Sequence, residues 1–343
     1  MIKISYKKLL DYTNKVLIKS KVNKFCARTV SLGLCNASLR GVDSHGIKLL
    51  PHYMRSALLG RKNLKPKFKF SKKFKCIQLL DADNGFGLSA GYKAVKKCIE
   101  IAKVYGVGVV GVKNSSHPGA MASIVLEHAK KGYLIFGFTH ADSLQLTHGG
   151  TNPYFGTNPI CFAAPRGRLE PFCLDMATTK ISWNKLLNYK RLKKKLPLNV
   201  AADIFGKMTV DPFKATSLLS VGSYKGYGLA SMVEILCSVF IGMKFGINIP
   251  SMYKSSIKKP RKLGQLYIAI RADSFVSKNN FVTDLIKMCK EVRLEKSSSK
   301  NKIYLPNDKE IIESKIRLKS GIPIDNELYK ELKEISNNYK ISI

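Results

Sequence analysis

Six histidines stand among 343 residues, and two of them share an unusual frame. His45 lies in RGVDSHG (40–46) and His117 in NSSHPGA (114–120), each preceded by serine and followed within two residues by glycine. Imidazole titrates near neutral pH, so it can take a proton from a hydroxyl or give one to a developing oxyanion. A neighbouring glycine lets backbone or ligand approach closely. Alone, either histidine reads equally well as a ring that satisfies a turn. Asp175 opens the polar part of LDMATT (174–179) behind an apolar run, where it either serves a site or caps the next turn. Thr157 and Asn158, in a loop bracketed by Gly156 and Pro159, offer hydrogen-bonding groups that either meet a ligand or hold the loop.

Other chemistries find no support. The chain has no HExxH, no CxxC and no close histidine pair, so no metal centre is expected. It has no GxSxG elbow for a serine hydrolase. Its eight cysteines are scattered, several inside apolar runs, and read as small hydrophobes in a reducing, cytoplasmic setting. NGFGLSAG (84–91) is tempting as a dinucleotide-binding turn. Its glycines are spaced GxGxxxG, however, and Asp81 and Asp83 just ahead would repel a pyrophosphate. The following strand ends in Lys113 and Asn114, where a ribose-binding acid belongs, so the stretch reads as a tight strand-to-helix turn.

The elements that must position these residues divide the chain. Residues 1–72 read as a helical N-terminal region that packs with a helical tail, 306–343. Residues 73–305 read as an α/β domain in which short apolar strands alternate with helices. The basic, turn-prone RKNLKPKFKFSKK (61–73) between them predicts a hinge. The apolar 226–243 carries Glu234 and three glycines, which predicts a buried helix rather than a membrane span. The formal charge of +36 is extreme, yet lysines recur from Lys3 to Lys340, and the densest runs, Lys190–Lys195 and Lys258–Lys262, are short and lack interleaved aromatics. This predicts a solvated surface that attracts small anionic ligands, with no specific nucleic acid or membrane partner.

Six ordered stretches cohere: DSHGIKLLPHY (43–53), DADNGFG (81–87), NSSHPGA (114–120), GGTNPYFGTNP (149–159), LDMATT (174–179) and YKGYGLASMVEIL (224–236). Together they resemble the malate/lactate dehydrogenase-like family of NAD(P)-dependent oxidoreductases, over a span from about residue 5 to the tail. The resemblance implies a homodimeric α/β fold of the family's own, non-Rossmann kind, with NAD or NADP lying in a cleft. It implies hydride transfer between nicotinamide and a small 2-hydroxy or 2-oxo acid, or a cyclic imino acid. His45 and His117 match the family's proton-transfer and substrate-contact histidines, and Asp175 the carboxylate some members bring to catalysis. Ser44, Lys48 and Thr157 would contact substrate. Asn158, Asp175, Met176, Ala177, Lys225 and the Pro306-Asn307-Asp308 turn would contact the cofactor. The chain departs from the family in placing Leu49 where many relatives have arginine, in His140 after strand LIFGF, and in a shortened 250–262. The alternative expectation is a polyanion-binding protein on a catalytically retired scaffold.

Overall fold

The computed structural model describes residues 2–298 and 301–343. The chain opens with β1 (Ile2–Ile4), α1 (Tyr6–Lys19) and α2 (Lys24–Leu39), then two 3-10 turns (Asp43–His45 and Ile47–Leu49) and α3 (Leu50–Leu58). It continues through β2 (Lys69–Phe74), β3 (Ile77–Asp81), α4 (Gly87–Tyr105), β4 (Val107–Ser115), α5 (Ala122–Ala129) and β5 (Tyr133–Thr139). Next come β6 (Gln145–Leu146), β7 (Pro153–Phe155), β8 (Ile160–Arg166), β9 (Leu169–Met176), α6 (Trp183–Arg191), β10 (Ala201–Ala202) and β11 (Ser217–Leu218). The last part holds α7 (Tyr224–Cys237), β12 (Leu263–Arg271), α8 (Lys278–Leu294), α9 (Asp308–Ser320), β13 (Ile322–Ile324) and α10 (Asn326–Tyr339).

The main sheet has seven strands in the order β2-β3-β4-β12-β5-β8-β9. Only β3 and β4 run parallel, joined across α4; every other pair is antiparallel. A doubly wound dinucleotide fold needs a largely parallel sheet, so the topology rules one out. Alternation along β12 sorts its side chains between two layers. Tyr267 and Ala269 join the core formed with α2, α4 and α5, whereas Leu266 packs with Phe138 against Val233 and Cys237 of α7. The larger core runs without a break from Ile4 to Leu332. The termini close on each other through antiparallel β1 and β13, and Tyr12 Oη donates to the Leu332 carbonyl at 2.7 Å.

Two expectations need correction. Residues 61–73 do not form a hinge. Asn63 N donates to the Asn84 carbonyl (2.9 Å), Asn23 N donates to the Leu64 carbonyl (3.0 Å), and Lys69–Phe74 is an edge strand on β3. Arg61 and Lys62 are buried. Their charge looked like a solvent-exposed linker because the sequence does not show which carbonyls the cations reach. Nor is 226–243 a buried helix. Regular α-helix ends at Cys237, a 3-10 turn follows at Val239–Ile241, and only Gly226, Ala230, Val233, Glu234 and Cys237 of α7 are buried. Ile235 (57% exposed), Val239 (58%) and Phe240 (70%) point outward and form an apolar face. By length and composition Tyr224–Ile241 is apolar enough to cross a membrane, but its inner face lies on the sheet.

Candidate active site

His45 ends the first 3-10 turn, and its place is set by contacts from α2 and from the tail. Ser38 Oγ accepts from Ile47 N at 2.8 Å, and a Cβ on Gly46 would lie 2.1 Å from that same oxygen. The glycine of SHG is therefore required by close approach to α2. From the tail, Arg317 grips Asp43 with two bonds of 2.6 and 3.0 Å and the Ser38 carbonyl with a third of 2.6 Å. Arg317 escaped notice in the sequence, since one arginine among many surface cations carries no local signal.

His117 follows β4, and the glycine turn explains its position. A Cβ on Gly87 would stand 2.0 Å from the Ser116 carbonyl oxygen. Gly87 N donates to Ser116 Oγ, which donates in turn to the Gly85 carbonyl, both at 3.0 Å. Gln265 of β12 donates to Ser115 Oγ at 2.8 Å. The 85–91 turn thus braces the loop that carries a histidine.

The two imidazoles stack with centroids 5.6 Å apart and planes 26° apart. They line a cavity of about 710 Å³ together with Ser44, Thr157, Asp175, Met176 and Ala177. That volume lies in the usual range for small-molecule and cofactor sites. Burial lowers His45 to about 4. His117 is held well below the ordinary histidine range by burial, then by the charges of His45, Arg261 and Lys62. Both rings are neutral at pH 7. The Tyr53 hydroxyl lies 2.7 Å from His117 Nδ1, and Gly119 N points at the same nitrogen from 3.4 Å. The Tyr53 hydroxyl also reaches the His117 carbonyl at 3.1 Å, but the Gly119 N–H can only donate, so Nδ1 accepts and the neutral ring carries its proton on Nε2. His45 Nδ1 lies 2.9 Å from Ser44 Oγ, a hydroxyl that can donate or accept, so either tautomer is available to His45. Asp175 faces the cavity from the end of β9 and accepts from Ala122 N, at the start of α5, at 2.8 Å. Its side chain is exposed to the open cavity, and partial desolvation by the surrounding protein lifts its carboxyl to about 6 despite the helix N–H groups.

Not every candidate reaches the cavity. Asn158 is fully buried, with its amide committed to Ala141 N (3.1 Å), the Ala230 carbonyl (3.0 Å) and Glu234 (2.8 Å), so it holds the loop. Lys48 is exposed and lies outside the lining. Lys225 is exposed on the first turn of α7, four residues beyond the lining residue Val221. Pro306, Asn307 and Asp308 form the start of α9, where Asn307 donates to the Pro171 carbonyl (2.8 Å) and Asp308 pairs with Arg293 (2.7 Å). This turn fastens the tail to β9 and α8 and is absent from the lining.

Other lining residues were not among the candidate site residues of the sequence. Arg261 is buried at the cavity edge, bonded to Asp142 and, at 3.0 Å, to the Pro250 carbonyl. Residues 251–254, within the shortened segment, form a wall that Arg61 clamps through the carbonyls of Met252 (2.8 Å) and Ser256 (2.7 Å). His140 lines the cavity with Nε2 accepting from Gly264 N at 2.8 Å, which leaves its Nδ1 proton facing Glu234 at 3.6 Å. Among the described residues there is no cluster of histidine, cysteine and carboxylates that could hold a metal ion.

A family model described as malate/L-lactate dehydrogenase matches residues 4–333. The chain belongs to this family. It is 32% identical to ureidoglycolate dehydrogenase (NAD(+)) of Escherichia coli K12, over 96% of this chain and 95% of the relative. It is 34% identical to L-sulfolactate dehydrogenase of Methanocaldococcus jannaschii, over 96% and 94%. The crystal structure of malate dehydrogenase from Entamoeba histolytica superposes with a TM-score of 0.94 at 28% identity, covering 100% and 99% of the two chains. Membership places the chain among the oxidoreductases that act on CH–OH groups of small hydroxy acids.

Proposed function

We propose that the protein is an NAD(P)-dependent dehydrogenase that interconverts a small 2-hydroxy acid and its 2-oxo acid, with His45 and His117 managing the proton. The observation that carries this reading is the neutral, stacked histidine pair on the wall of a roughly 710 Å³ cavity. The lining suits a dinucleotide: Met176, Ile181 and Val221 offer apolar surface, and Lys180, Lys185 and Lys190 offer charge to phosphates. When bound, the nicotinamide supplies or removes the hydride. The chain's own residues handle what remains. His117, protonated on Nε2, donates to the substrate oxygen, and an N–H aimed there stabilises the charge that develops on it. His45 can present a bare nitrogen to the hydroxyl proton during oxidation, through the tautomer in which its Nδ1–H bonds Ser44 Oγ. Arg261 meets the acid's carboxylate, a task that exposed Lys48 does not perform from its position. The acid–base roles support oxidation near neutral pH, where both rings are already unprotonated.

The outward apolar face at Ile235, Val239 and Phe240 supports a homodimer, and eight free cysteines support a cytoplasmic setting. The test is a panel of 2-oxo acids and cyclic imines assayed with NADH and with NADPH. We expect oxidation of one reduced cofactor by at least one 2-oxo acid. If neither cofactor binds by fluorescence titration, the reading fails and a polyanion-binding role takes its place.

A further inference from the structure

His117 and Arg261 also border a second gap of about 10 Å³, lined as well by His52, Tyr53, Arg61 and Lys62. That is room for about one water-sized sphere. Arg61 is 2% exposed, Lys62 5% and Arg261 4%. Three cationic side chains therefore surround one small space. The carboxylate that reaches them is Asp142, and Arg261 is bound to it. Arg61 spends its terminal nitrogens on backbone carbonyls, while its buried Nε–H meets no acceptor among the described residues. Lys62 donates to Ser56 Oγ and stands over the Tyr53 ring, 4.8 Å from its centroid. An ammonium has three protons to place, and one named partner leaves two.

We propose that this gap is a binding site for a single monatomic anion of the halide class, held by the Lys62 ammonium and the Arg61 Nε–H. Buried charge without a paired counter-charge is strongly unfavourable, and among the described residues neither Arg61 nor Lys62 has an ion-pair partner, Asp142 being bound to Arg261 and acting on Arg61 only from farther off. Size selects the ligand, because a carboxylate or phosphate has several heavy atoms and does not fit a space for one. Facing the gap, His52 from α3 and His117 from the loop after β4 are both lowered by burial and by these same cations, so neither adds charge. Arg55 adds to the field on His52, and Tyr53 keeps its proton because burial raises it far above its ordinary range. Burial, Arg61 and Arg261 lower Lys62 to about 7, and an anion beside it would restore its proton. The proposal stands apart from the dehydrogenase reading, since it concerns stability and occupancy rather than turnover.

The experiment compares melting temperature in sodium chloride and in sodium methanesulfonate at one fixed ionic strength, for wild type and for Lys62→Met. Fixed ionic strength removes general screening of the +36 surface. Any methanesulfonate held in the main cavity affects both proteins alike and cancels in the difference. Ligand binding to the folded state raises wild-type Tm with chloride concentration, and Lys62→Met should lose that chloride-specific rise. Should the variant fail to fold, wild-type crystals soaked in bromide decide the matter through an anomalous peak among Arg61, Lys62 and His117. Equal Tm in the two salts, a full chloride response in the variant, or no bromide peak overturns the site.

Discussion

Replacing Lys62 with methionine should make the protein more stable, by an amount that fades as pH rises. The side chain is 5% exposed and its ammonium is lowered from the ordinary 10.5 to about 7, chiefly by burial and then by Arg61 and Arg261. A difference of about 3.5 units corresponds to about 5 kcal/mol of unfavourable interaction with the proton bound, at 1.36 kcal/mol per unit. After relaxation and water entry, several kcal/mol of such a penalty remain in real proteins. The sign follows from linkage. Between about pH 7 and pH 10.5 the unfolded chain holds the lysine proton and the folded chain does not, so wild-type stability climbs with pH. The full penalty applies below about pH 7 and vanishes above 10.5. Methionine has the length to pack on Tyr53 and Phe86, whose rings Lys62 now faces at 4.8 and 5.9 Å. Ser56 Oγ keeps its bond to the Tyr53 carbonyl at 3.1 Å. With an unfolding entropy of ~2 cal/mol/K per residue over 343 residues, 1 kcal/mol moves Tm by ~1.4 °C. Scanning calorimetry in chloride-free buffer should therefore show Lys62→Met melting ~3–6 °C above wild type at pH 6, and level with it near pH 10. A gain that does not change with pH, or a loss at every pH, would refute the reasoning.

His45→Gln and His117→Gln should each lower kcat by about 100- to 10,000-fold while nicotinamide affinity, read by fluorescence titration, stays near wild type; near-normal turnover in both variants would return the pair to a purely structural role. Asp175, raised to about 6 by desolvation within the cavity, should impose an acidic limb on the kcat profile near pH 6, and Asp175→Asn should abolish that limb; an unchanged limb would assign it elsewhere. Light scattering at micromolar concentration should give a dimer mass, and Ile235→Lys with Phe240→Lys should give monomers, because both residues lie on the exposed apolar face.

The sequence by itself carried the candidate site residues and their order along the chain. His45, His117 and Asp175 sit in short motifs whose small residues constrain the backbone, and such constraint is local, so it shows in the letters. GxGxxxG spacing and acidic neighbours were enough to turn attention from 85–91 as a cofactor loop. Why that turn exists was another matter: Gly87 lets the Ser116 carbonyl approach the start of α4, a contact between residues 29 apart. Likewise, nothing near Arg317 announces that it fastens Asp43 and so sets the turn bearing His45, 274 positions away. Asn158 looked like a ligand contact because amides suit both tasks, and only the positions of Ala141, Ala230 and Glu234 show its hydrogen bonds already committed. Composition misled most where charge is buried. In a chain with 59 lysines and arginines, Arg61 and Lys62 read as solvated linker, whereas the fold carries them under the 251–256 wall beside His117. Charge type is written in the sequence, but its electrostatic consequence depends on the dielectric and on the partners around it. Those are set by which distant segments the folded chain brings together.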